Sequence, residues 1–183
     1  MIVYHGSDSN FKQLKISKSL VKSRSTEVNE GYGIYFSTDI EVAKSYGKYI
    51  YTLEINDKVL HDFRRHYDCI TYMTKLISML EDETGVNLFA FINVDNMIDR
   101  MHYGGIQIFN IATEITKILD NMEYYYRMTN ETQRRKVTSV LKKYTKNTLK
   151  AYLFTYNIPN VGVIKDVDPS VVKIINKQQR HEV

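Results

Sequence analysis

The sequence predicts an α+β fold in which strands at both ends of the chain enclose a helical middle. Three observations lead there. YIYTLEI at 49–55 alternates as a half-buried strand does. From Cys69 to about Glu83, the residues Ile70, Met73, Leu76, Ile77 and Leu80 recur at helical spacing. Beyond a break at Asn157-Ile158-Pro159-Asn160, the segments Val161–Lys165 and Val171–Asn176 return to strand character.

In chain order, residues 2–5 form an opening strand, and Gly6 to Glu30 is a polar, irregular stretch suited to wrapping the edge of a cleft. Gly31 and Gly33 introduce a strand, Ile34-Tyr35-Phe36-Ser37. Thr38 or Asp39 caps a helix over roughly 40–47, with Glu41 in its first turn and Gly47 ending it. Gly85 closes the helix that begins at Cys69, and further helices are expected near 94–102, 109–125 and 130–147. The last two strands join across Asp166–Pro169 and take partners from the first third of the chain. The tail Lys177–Val183 is polar and expected to fray. The chain reads as a single domain, 1–183, with a helical insertion over about 69–150.

At 183 residues and 21.5 kDa the chain can bury a core without disulfides. One cysteine, Cys69, permits no intrachain bridge and gives no reason to invoke a thiolate metal site. The histidines His61, His66, His102 and His181 form no ligand spacing, so no metal is expected. MIVYHG begins directly as a strand, without a signal-peptide pattern, and no stretch is long and apolar enough to span a membrane. These readings point to the cytoplasm of a bacterial or host cell. Net charge is only +4, but Arg127 to Lys150 carries eight basic residues against one acid, Glu131. That stretch reads either as a solvated helix face or as a patch steering an acidic macromolecule, protein or nucleic acid.

Five positions near the N-terminus draw attention together. His5 and Gly6 lie in or beside the opening strand, and a residue without a side chain permits close ligand approach. Tyr35 lies on the next strand, Ser37 follows it, and Tyr46 falls eleven residues after Tyr35 on a short helix. Two aromatic rings on different elements can face each other across a slot suited to a flat heteroaromatic ring. GYG has neither the dinucleotide fingerprint nor a phosphate-loop lysine.

YHG at 4–6, GYGIYFSTD at 31–39 and AKSY at 43–46 together resemble the NAD-binding core of the ADP-ribosyltransferase superfamily. The likeness is to its histidine–tyrosine–acid class, found in diphtheria-like toxins and poly-ADP-ribose polymerases. It covers the first 55 residues well and the last 25 less well; the helical middle carries no shared motif. The resemblance implies two small, strongly bent β-sheets around an NAD cleft, and a small phage-encoded or toxin-type enzyme. It implies that His5 holds the ribose of NAD while Tyr35 and Tyr46 enclose the nicotinamide. Beside them, Gly6 permits close approach of the ligand, and Ser37 either hydrogen-bonds to it or caps the helix. The family's late-strand acid is usually glutamate. Here Glu182 lies in the polar tail, and Asp166 is assigned the role, with Asp168 as the alternate. The competing reading is that both aspartates simply build the DVDP turn. Arg24, Arg64 and Arg65 are candidates for the pyrophosphate.

Chemically, such a set fits cleavage of the nicotinamide–ribose bond. Positive charge develops over C1′ and the ring oxygen, and a carboxylate on the ribose 2′-hydroxyl favours it most in the transition state. The expected activity is mono-ADP-ribosyl transfer from NAD to a macromolecular target. NAD glycohydrolysis and a non-catalytic NAD- or partner-binding module on the same fold are the alternatives.

Overall fold

The computed structural model describes residues 1–16, 33–103, 108–126, 130–154 and 160–180. The glycine turn at Gly31, the pyrophosphate candidate Arg24, the Pro159 break and Glu182 lie outside them. Two units are distinguished along the chain: Met1–Asp62 with Leu149–Val183, and Phe63–Thr148.

The first unit is a curled, mixed, seven-stranded sheet, which makes the protein α+β. Its strands are β1 (Ile2–Ser7), β2 (Ile34–Ser37), β3 (Tyr49–Ile55), β4 (Leu60–Asp62), β5 (Ala151–Phe154), β6 (Val161–Ile164) and β7 (Val172–Gln179). They lie in the order β4-β5-β6-β2-β1-β3-β7. Two small sheets were expected; the described strands instead form one continuous order. The join at its middle is narrow. β1 and β3 pair along six positions, Ile2 opposite Glu54 through Ser7 opposite Tyr49, and β2 and β6 pair along four. The ladder between β1 and β2 is the single pair Tyr4–Ser37. A four-stranded half and a three-stranded half thus meet at a seam.

β6 lies between β2 and β5, while β7 pairs with β3 at the far edge. The last two strands therefore do not neighbour each other, although both take partners from the first third of the chain. Lys177 to Gln179, expected to fray, continue β7 opposite Tyr49 to Tyr51. β4 and β5 are strands that the hydropathy pattern did not reveal. β5 is buried at all four positions, and such a run has no alternation to detect.

Sheet alternation explains where the core forms. Val3, Ile34, Phe36, Tyr51, Leu53, Ala151 and Ile164 are buried in one cluster, joined at its margin by Phe11, Leu14 and Ile16. A short helix, α1 (Ile40–Lys44), follows β2. Asp39 is its cap, accepting from the Glu41 backbone N–H at 2.9 Å. The helix stops at Lys44, before Gly47. A side chain at 47 would run into the Ser7 and Asp8 backbone at 2.2–2.6 Å, so Gly47 serves close chain approach and not termination.

The second unit contains α2 (His66–Thr84), α3 (Val94–His102), α4 (Ile111–Tyr126) and α5 (Glu131–Thr148). α2 buries Cys69, Tyr72, Met73, Leu76, Ile77 and Leu80 and ends at Gly85 in the left-handed conformation. Cys69 is buried within this unit, and its thiol donates to the Phe63 carbonyl. No helix among the described residues is long and apolar enough to cross a membrane.

Candidate functional site

The seam brings together most of the residues singled out by sequence. Beyond the Tyr4–Ser37 pair, the His5 side chain supplies the next link: its Nδ1–H donates to the Tyr35 carbonyl at 2.6 Å. A carbonyl can only accept, so the proton must sit on Nδ1, and in the neutral ring Nε2 becomes an acceptor. The histidine ring lies 6.0 Å from Phe11 and 6.1 Å from Tyr51, which stack on each other at 3.9 Å. Tyr51 Oη donates to the Ser9 carbonyl and accepts from the Phe11 N–H, pinning the chain that leaves β1.

Gly6 belongs to the opposite face. A Cβ there would lie 2.0 Å from the Ala43 carbonyl oxygen and 3.1 Å from Tyr46 Cβ, so α1 rests directly on the bare backbone of β1. The Tyr4–Ser37 register, extended by two residues on each strand, puts Tyr35 on that same face. Tyr35, on β2, and Tyr46 therefore both border the face at Gly6; Tyr46, expected on the helix, lies instead in the turn after α1, which stops at Lys44. Tyr35 is half-buried and Tyr46 exposed. The sheet does not put His5 on the tyrosines' face; it reaches the seam from the other side, through a main-chain carbonyl.

Ser37 is buried and structurally engaged. Its Oγ donates to the Asn160 carbonyl at 3.1 Å and accepts from the Asp39 N–H at 3.0 Å. Asn160, which sequence reasoning passed over, has a left-handed φ of 64° and also receives the Thr38 N–H at 2.9 Å. It ties the entry of β6 to the end of β2.

Asp166 lies in the turn after β6. Its backbone N–H donates to the Lys150 carbonyl, its Oδ1 accepts from the Asp168 N–H at 3.0 Å, and its Oδ2 stands 3.7 Å from Lys150 Nζ. Val163 is the β6 residue opposite Tyr35, so Asp166 lies three residues, roughly 10 Å, further along. Asp168 caps the same turn: its Oδ1 accepts from the Ser170 N–H and hydroxyl. Those bonds, led by the hydroxyl, hold its carboxyl below the usual carboxylate range. The turn-building reading thus describes both aspartates as they stand.

Beside Tyr46 an open cavity of about 470 Å³ is lined by Asp8, Lys44, Tyr46, Lys48 and Arg180, among others. Arg180 is fixed there by its N–H on the Lys48 carbonyl at 2.7 Å and its Nη1 on the Lys44 carbonyl at 3.1 Å. These cations were missed in the sequence because Arg180 belongs to a tail that reads as polar and featureless. Of the candidates named there, Arg64 and Arg65 fall in the helical unit, where Arg65 pairs with Asp68 at 2.6 Å. Among the described residues no group of three or more His, Cys, Asp or Glu gathers as a metal site.

Compared with protein-family models, curated proteins and solved structures, the chain finds no match in any of the three.

Proposed function

We propose that the sheet unit binds NAD at the seam, cleaves its nicotinamide–ribose bond and transfers ADP-ribose to a macromolecular acceptor. The observation that carries this reading is that Tyr35 and Tyr46 border one face of the seam, beside the contact between α1 and Gly6. A nicotinamide ring held against these tyrosines would gain roughly 0.5–1.5 kcal/mol beyond area burial. His5, with Nδ1–H committed to the Tyr35 carbonyl, holds the main chain that carries Tyr35 from the opposite face of the sheet. The cavity with Lys44, Lys48 and Arg180 continues from Tyr46 and supplies positive charge for the pyrophosphate. In the reaction, nicotinamide leaves with the bonding pair, and the acceptor's nucleophilic atom bonds to C1′ and loses its proton. Asp166 is the carboxylate assigned to favour the developing ribosyl cation. To do so it must exchange its contact with Lys150 for one with the sugar.

A second reading rests on that same contact. With Asp166 held by Lys150 and by its own turn, the unit would keep the NAD pocket and act by binding alone. Incubation of the purified protein with NAD labelled in its adenylate, with and without cell lysate, separates the readings. Label on a macromolecule establishes the transferase, and free ADP-ribose alone establishes a glycohydrolase. NAD that binds without releasing nicotinamide leaves the binding module. NAD that neither binds nor reacts overturns the proposal.

A further inference from the structure

The helical unit carries a surface that the NAD reading does not use. α5 buries Val137 and Leu141, and its exposed positions include Arg135, Lys136, Lys142, Lys143 and Lys146. Arg135, Ser139, Lys142 and Lys146 follow one another at helical spacing, with Lys136 and Lys143 alongside. Every exposed residue of α5 is polar or charged. The two arginines are already held: Arg134 by Asp120 at 3.4 Å, and Arg135 by Glu131 one turn earlier. Among the described residues, no carboxylate stands within ion-pair distance of Lys136, Lys142, Lys143 or Lys146. Between α4 and α5 an open groove of about 380 Å³ runs past Thr116, Asp120, Arg134, Thr138, Ser139 and Lys142, with Asp120 engaged by Arg134.

We infer that this groove and stripe bind the sugar–phosphate backbone of a nucleic acid. Three features select that partner. Phosphate oxygens take hydrogen bonds from hydroxyls as well as from cations, and Thr116, Thr138 and Ser139 stand beside Arg134 and Lys142. From Arg135 to Lys146 the stripe rises about 16 Å at 1.5 Å per residue, which is close to five base steps at about 3.4 Å each. A helix that inserts into a lipid surface carries apolar side chains beside its cations, and the exposed face of α5 carries none. The contacts are to backbone charge, so binding is independent of base sequence.

Fluorescence anisotropy with a labelled 20-base-pair DNA duplex tests this, using the full chain over 50–400 mM KCl. Four lysines on four phosphates give a log–log salt slope of about −3.6, hence about a 100-fold loss of affinity between 50 and 200 mM. The double substitution Lys142→Gln with Lys143→Gln should halve that slope. Lys44→Gln with Lys48→Gln, in the other unit, should leave it unchanged. Lys48, Lys142 and Lys143 are exposed and Lys44 is half-buried; unchanged thermal melting verifies that the variants fold. The inference is overturned by no binding at 50 mM, by an unaltered slope in the α5 variant, or by loss in the Lys44/Lys48 variant instead. Binding of poly-glutamate as tight as that of the duplex also overturns it, in favour of an acidic protein. None of these outcomes depends on whether NAD is turned over.

Discussion

His5 and Tyr35 are joined by a hydrogen bond from an imidazole N–H to a main-chain carbonyl, across a join where the sheet's own ladder is a single pair. A side chain thus does what a backbone N–H does elsewhere in the sheet. That bond also fixes the tautomer, and with it the chemistry available to the opposite ring nitrogen.

Replacing His5 by Ala should therefore act twice. Loss of the bond costs about 0.5–1.5 kcal/mol of stability, read as a lower denaturation midpoint. On the proposed function, nicotinamide release falls on the order of 100-fold through displacement of Tyr35. His5→Asn, which can donate to the Tyr35 carbonyl, should recover part of the stability and part of the activity. Recovery of stability without activity would show that His5 does more than hold Tyr35.

Gly6→Ala places a methyl 2.0 Å from the Ala43 carbonyl oxygen, a distance that only movement of α1 relieves. Overpacking of this kind costs about 1–3 kcal/mol. Because Tyr46 moves with the helix, NAD affinity measured by titration calorimetry should fall more than it does for Tyr46→Phe. Equal affinities would mean that the ring does not lie against Tyr46.

Asp166→Asn and Asp168→Asn distinguish the acid from the turn. On the transferase reading the first should lower nicotinamide release several hundred-fold, as loss of one charge-directed bond of about 3–4 kcal/mol does. The second should leave the rate within a few-fold. If both variants melt lower and neither loses activity, the two aspartates are turn residues only.

Tyr72 gives a prediction at high pH. Burial raises its phenol above the ordinary tyrosine value of about 10, with the Thr148 hydroxyl opposing the effect. The folded value is the raised one, so its contribution is complete below pH 10 and is lost as pH rises past the unfolded value toward the folded one. Wild type should lose melting temperature above about pH 10 more steeply than Tyr72→Phe does. Parallel curves would show that Tyr72 ionises in the folded protein as freely as in the unfolded chain.

Elements with a periodic signature were legible in the sequence, and contacts made by backbone were not. Val94–His102 and the Gly85 stop were read directly, because amphipathic spacing and a left-handed cap leave marks on residue type. β5 left none, being buried on both faces, and β4 is too short to show a period. At the candidate site, His5, Gly6, Tyr35 and Tyr46 were found by motif. Their division between two sheet faces depends on the register of one residue pair, which no local pattern encodes. Asn160 acts through its carbonyl and its φ, and Arg180 through main-chain partners. Neither has a side-chain signature to read.

The sheet unit is assembled from two stretches of chain separated by the whole helical unit, Phe63–Thr148. During synthesis β1, β2 and β3 emerge first, while β6 and β7, which cover the outer edges of β2 and β3, come after that interval. At about 5–20 residues per second, the wait is roughly 4–17 s. Throughout it the two edges present open rows of N–H and C=O groups, the template on which strands of neighbouring chains associate. A half-made chain is thus the form of this protein most prone to aggregate, and the strands made last close both edges against that association.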